Sequence, residues 1–306
     1  YIMSLGNATV QLVVCRFLVA SPAMPSSMLH VPSHVQVVLS PIPPLALALV
    51  LLAALFHAGW NLLLHETPDR PAALAVAGVT SGLLLLPFTL LAPPWQVWPL
   101  ILLSGAAETA YAVLLTAAYQ RGALAIAYPI ARGTAPLLVT LGAVVVLAQA
   151  PPPLNVIGAA LLLGGLALVG LAGRRQGELA AVIFALLTGA AIASYQLIDA
   201  RAVQSVSPVA YLGPVIGLQG ILLVGWLRGD VRRMRRSLGT GLKIAVGSQV
   251  SYLLVLFAFQ QAHAGQVSTL REVSVLIGVF LSRGHRGWQV WAGAALVVVG
   301  VILTAI

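Results

Sequence analysis

The chain has 306 residues, of which 60% are hydrophobic and only 8% charged, with a mean hydropathy of +1.00. Soluble domains carry about 25% charged residues, so this chain lacks the material for a water-facing surface. The formal charge of +9 sits in short stretches between apolar runs, which reads as a topology signal and not as a nucleic-acid footprint.

In chain order, residues 1–43 hold scattered Pro, Ser and His, and the apolar piece from Leu12 to Ala20 is short and contains Arg16. Neither a signal peptide nor a spanning helix is read there, and a poorly ordered N-terminal extension is expected. From Pro44 onward, ten apolar spans are predicted near 45–64, 72–92, 97–119, 123–148, 154–172, 178–199, 208–227, 241–262, 264–282 and 288–306. Each is long enough, or nearly so, to cross the hydrocarbon core as a helix. The connections are short and carry turn formers, such as "APPWQ" (92–96) and "QAPPP" (149–153). Cys15 is the only cysteine, so an intrachain disulfide and a Cys-rich metal site are excluded.

The spans repeat. "RGTAPLL" (132–138) aligns with "REVSVLI" (271–277), and "IGAALLLGG" (157–165) with "AGAALVVVG" (292–300). "HAGWN" (57–61) faces "IASYQ" (192–196), which sets Trp60 on Tyr195. The expected fold is therefore all-α and polytopic, with a five-helix repeat over 44–173 and a second over 174–306. An odd number of spans per unit turns the second upside down relative to the first. Twelve Lys and Arg residues fall in the loops on one side, against Arg16 and Arg201 on the other. That bias puts the first side in the cytoplasm and both termini outside.

"HAGWN", "AYPIARGTAPLL" (127–138), "LREVSVL" (270–276) and the Gly-Ala-Ala motifs of the fifth and tenth spans resemble the EamA-type members of the drug/metabolite transporter superfamily. The resemblance covers about residues 45–306. It implies a multi-pass secondary carrier of the cell (inner or plasma) membrane, often an exporter, with a cavity between two inverted repeats. Two features depart from that pattern. The loops after the fourth and ninth spans lack the Gly-Glu pair of many relatives, and the second Arg-to-Gly interval is 22 residues (271 to 293) against 26 in the first (132 to 158).

Arg132 is the strongest single signal. A charge at mid-bilayer depth costs about 2.5–3.5 kcal/mol or more, which predicts that it faces the bundle interior. Pro129 and Pro136 flank it and disfavour a regular helix, as expected of an interrupted span lining a cavity. Two readings stand for Arg132: a ligand for a substrate carboxylate or phosphate, with Tyr128 on the same face, or an ion pair with Glu108 or Glu272. Arg271 corresponds to Arg132 through the repeat and is the second cavity candidate. Glu108 shares a helix face with Tyr111 and is read either as a proton carrier or as a counter-ion; Glu272 is grouped with it as a candidate for proton coupling. Trp60, Asn61, Tyr111 and Tyr195 are the remaining candidate substrate contacts, with core packing the alternative for Trp60. His57 is expected to make a satisfied hydrogen bond, with a proton relay as the second reading. Asp199, at the predicted end of the sixth span beside Arg201, is expected to be interfacial. The glycines of the fifth and tenth spans are expected to let those helices approach closely.

The function expected is secondary transport of a small anionic or zwitterionic metabolite, such as an amino or organic acid, by alternating access, without catalysis, metal or cofactor. Partners are the solute and membrane lipids, with no nucleic acid, in a monomer or homodimer. An intramembrane enzyme acting on lipid-type substrates and a transport-incompetent scaffold are the alternatives.

Overall fold

The computed structural model describes residues 41–121, 124–171, 179–281 and 287–305, all within one unit of the chain, Val37–Ile306. Residues 1–40 of the expected extension, and the boundary expected between 173 and 174, lie outside the described residues. The described residues are helical throughout, joined by short turns.

Helix α1 spans Pro44–Glu66, with proline in its first turn where no backbone donor is needed. Helix α2 spans Arg70–Leu91 and is capped by Asp69, whose carboxylate accepts from Ala72 N. A 3₁₀ turn, Trp95–Val97, leads into α3, Trp98–Arg121. Then come α4 (Leu124–Val146), α5 (Pro153–Leu171), α6 (Leu179–Ala202) and α7 (Pro208–Trp226). The short α8, Val231–Arg236, is capped by Asp230 and precedes α9, Leu238–Phe259. The last part comprises α10 (Ala264–Arg271), α11 (Val273–Leu281) and α12 (Trp288–Ala305).

Six helical stretches are long and apolar enough to cross a membrane: 44–66, 70–91, 95–118, 182–202, 208–226 and 238–259. Shorter apolar stretches cover 131–146, 153–168 and 291–305. The protein is thus an integral membrane protein by its helices. Its surface agrees, because Leu83, Leu90, Leu91 and Val145 point outward while the interior is rich in alanine and small polar residues. With lipid as solvent, apolar bulk gains nothing by turning inward, and small residues let backbones close up. Trp95, Trp98, Trp226, Trp288 and Trp291 are exposed at helix ends, where indole rings suit the headgroup region.

The interrupted helix is not where the prolines predict it. Helix α4 runs unbroken across Pro129 and Pro136. The break falls in the ninth predicted span, at Glu272, between α10 and α11. There Glu272 N donates to Thr269 O at 3.1 Å and Val275 N donates to Glu272 O at 2.9 Å. These three-residue closures replace the four-residue ladder of an α-helix. A proline removes one donor; at Glu272 the ladder tightens for a turn while the backbone stays near helical, φ −69° and ψ −8°, before α11 resumes.

Helix α2 packs on α7, α5 on α12, α3 and α4 on α6, and α1 on α9, while α10 lies against α4 and α1. Glycine sets the closest approaches. A Cβ at Gly82 would meet Gly217 Cα at 2.6 Å, and one at Gly165 would meet the Gly293 carbonyl at 2.5 Å. Gly158 and Gly300 abut in the same way, whereas Gly164 faces open space and plays no such part.

The turns meet in a regular pattern. Arg233 of α8 bonds Asp69, joining the α1–α2 turn to the α7–α9 connection. Elsewhere Ile42 N donates to Ala305 O, Ala264 N to Gln149 Oε1, and Gln260 Nε2 to Val203 O. The start of α1 and the end of α12 therefore lie at one end of the bundle.

Candidate functional site

Six helices, α1, α3, α6, α7, α9 and α10, bring polar side chains to one cavity, and α2 completes its wall. The cavity holds about 60 Å³. That admits several water molecules, each of which needs about 10–15 Å³ of such space. Of the residues singled out in the sequence, His57, Trp60, Glu108, Tyr111, Tyr195 and Arg271 line it. Gln219, Gln249 and Tyr252 line it as well.

Arg271 sits at the end of α10, next to the break, and is 3% exposed. Its Nη2 lies 3.2 Å from His57 Nδ1, and its guanidinium stands over the Tyr252 ring, 5.3 Å from the centroid. A guanidinium only donates, so His57 accepts at Nδ1 and carries its proton on Nε2. Arg271 Nε and Nη1, Trp60 Nε1 and His57 Nε2 have no hydrogen-bond partner. The rings form two groups: His57 and Trp60 meet edge to face at 5.0 Å, and Tyr195 meets Tyr111 at 6.0 Å and Tyr252 at 5.8 Å.

Arg132 does not line this cavity. Its Nε is 3.1 Å from Glu272 Oε2, and Nη2 donates to Ser274 Oγ at 3.4 Å. Both ionic side chains are almost completely buried. The partner is Glu272, one of the two acids between which the sequence left the choice open. Glu108 is held instead by Gln219, whose Nε2 donates to the Glu108 carbonyl at 3.0 Å and to Oε2 at 3.2 Å. Asn61 is half-buried and its amide donates to the His57 carbonyl at 2.8 Å, one turn back on its own helix and away from the cavity. The side chain of Tyr128 lies outside the described residues.

Asp199 is the residue the sequence misplaced. It is fully buried and accepts from Ser104 Oγ at 2.5 Å, from Tyr211 OH at 2.6 Å and from Tyr252 OH. Helix α6 runs to Ala202, so Asp199 lies a turn inside and not at its end. Its three donors come from α3, α7 and α9, which no spacing in the sequence connects. The one signal available was an acid within an otherwise apolar span, the same signal that singled out Glu108.

The comparisons with known proteins give the fold alone. No family model matches the chain, and no curated protein does. Solved structures do, 29 chains among them. One crystal structure of a protein superposes with a TM-score of 0.67 at 16% identity, over 85% of this chain and 98% of that one. At that identity the likeness is architectural.

Proposed function

We propose that this protein is a secondary membrane transporter of the EamA-type drug/metabolite kind, moving a small anionic or zwitterionic metabolite across the cell membrane by alternating access. The observation that carries the reading is Arg271: a buried guanidinium at a helix break, whose Nε and Nη1 lack a hydrogen-bond partner, beside a cavity lined by polar and aromatic side chains. Broken helices that expose backbone and charge near the membrane midplane are a recurrent way to build a transport site.

A ten-span threading in two inverted repeats is supported by the packing. Counting α10 and α11 as one span, the pairs 1·8, 2·7, 3·6, 4·9 and 5·10 are unchanged when each span is exchanged for the one five places on. Each turn-to-turn bond also joins ends that such a threading puts on one side, including Ile42 with Ala305. Against the enzyme alternative, Asp199 and Glu272 are committed to hydroxyl donors and to Arg132, and so are poorly placed for acid–base work.

The test is solute flux by the purified protein in liposomes, screened over amino and organic acids. Uptake or counterflow above protein-free vesicles, reduced about tenfold or more by Arg271→Ala, is expected, since hydrogen bonds to a charged group contribute about 1.5–3 kcal/mol. Flux unchanged by that substitution would remove Arg271 from the site. Lipid turnover without flux would favour the enzyme, and neither would favour the scaffold.

A further inference from the structure

The connection between α7 and α9 concentrates positive charge on the surface. Five cations between positions 228 and 243, namely Arg228, Arg232, Arg235, Arg236 and Lys243, are exposed, and none is ion-paired with an acid among the described residues. The one acid in that stretch, Asp230, is occupied in capping α8, accepting from Arg232 N and Arg233 N. Arg233 is the exception among the cations: it bonds both oxygens of Asp69 and ties α8 to the start of α2. With α8 anchored in this way, a spacing of three and four residues turns Arg232, Arg235 and Arg236 to one face. Arg228 sits in the left-handed region at φ 54°, a place that glycine takes at lower cost, ahead of Gly229 at φ 66°.

The neighbours of α8 set its depth. Helices α7 and α9 are both long and apolar enough to cross a membrane, so α8 lies where one leaves the hydrocarbon and the other enters it. Trp226, Leu238 and Leu242, on the flanking helix ends, are exposed and suited to lipid. We propose that this basic turn is a binding site for an anionic phospholipid, the headgroup phosphate meeting Arg232, Arg235 and Arg236 and the acyl chains lying along Leu238 and Leu242. The inference stands apart from the carrier reading and does not depend on it. A guanidinium presents paired N–H donors that match two phosphate oxygens. The long stems of Arg228 and Lys243 let their charged ends reach headgroup level while the methylenes stay against lipid. A zwitterionic headgroup would bring its own cation to this array, and a free phosphate would leave the apolar flank uncovered. Each such cation beside an anionic bilayer surface contributes about a fivefold factor in binding. Charges that served only to orient the chain would show no preference among the lipids already around it.

The test incubates the purified full chain in micelles holding equal amounts of phosphatidylglycerol and phosphatidylcholine, then counts by mass spectrometry the lipids that stay with it through gel filtration. Wild type should retain phosphatidylglycerol at least about fivefold over phosphatidylcholine, and the triple variant Arg232→Gln, Arg235→Gln, Arg236→Gln should lose most of that preference. Arg201→Gln, which removes an exposed arginine from α6, should keep it. In wild type the preference should also fall in about 1 M salt, where charges are screened beyond about 3 Å, and this arm decides the matter even where the triple variant fails to fold. Equal retention of the two lipids by wild type overturns the assignment, as does a preference indifferent to salt. An unchanged preference in the triple variant overturns it too and leaves the charges as an orientation signal alone. A loss as large in Arg201→Gln would mean that net charge, and not this turn, selects the lipid. Displacement of the retained phosphatidylglycerol by excess inorganic phosphate would make the turn a site for the free anion, which also sinks the proposal.

Discussion

Arg132 and Arg271 are buried to the same extent, 3% exposed each, in segments that align in sequence, yet they meet the cost of burial in different ways. Arg132 faces Glu272 at 3.1 Å and bonds Ser274, so its charge is balanced inside the protein. Arg271 faces a histidine, the face of a tyrosine ring and a cavity, and keeps two donors unmet. An ion pair holds helices together; a cation that touches a histidine and a tyrosine ring instead of a carboxylate is less firmly tied. Two like residues in aligned segments thus differ in their surroundings, one ion-paired and the other beside a cavity, and the difference is decided by which acid comes within reach.

The largest effect should come from splitting the pair. Glu272→Gln leaves Arg132 charged and buried without a counter-ion, which should lower stability in detergent unfolding by about 3–5 kcal/mol. Replacing both, as Arg132→Met with Glu272→Leu, should recover most of that loss. A Glu272→Gln protein as stable as wild type would mean that the pair does not hold α4 to the broken helix.

A control remote from both arginines is Gly165→Val. The added bulk meets the Gly293 carbonyl, forcing α5 and α12 apart, at an expected cost of about 1–3 kcal/mol. If thermal unfolding is unaltered, the helices are not in the close register described. Arg271→Ala should change stability less, by about 1 kcal/mol, because it removes a cation–π contact and orphans no carboxylate in direct contact. A loss as large as that of Glu272→Gln would erase the contrast between the two arginines.

The smallest effect belongs to an exposed pair. Arg233 bonds both oxygens of Asp69, at 2.7 and 2.9 Å, linking α8 to the start of α2. These hydrogen bonds hold the Asp69 carboxyl below its ordinary value. The contribution to stability is therefore fully present above about pH 4, the unfolded range, and is lost as pH falls through the lower, folded value. Because both side chains are partly solvated, Asp69→Asn should cost less than about 1 kcal/mol at neutral pH. The stability difference between wild type and Asp69→Asn should shrink on acidification, measured by thermal melts across pH; a constant difference would contradict the assignment.

Much of this was legible in the sequence because it depends on one residue at a time. An apolar run must find lipid or a core, and an arginine within it must turn away from lipid, whatever the details of the fold. The burial of Arg132, Arg271 and Glu108, the small-residue contacts of α5 with α12, and the helical character of the spans all follow from such local costs. What required tertiary structure were the pairings: Arg132 with Glu272, Asp199 with hydroxyls from three other helices, and the helix break at Glu272 in place of the prolines. Those turn on distances of a few ångströms between residues up to 142 positions apart, as for Arg132 and Ser274, and hydrogen bonds and ion pairs fade over such small displacements. Composition states that a buried charge needs a partner; only the packing of the helices chooses it.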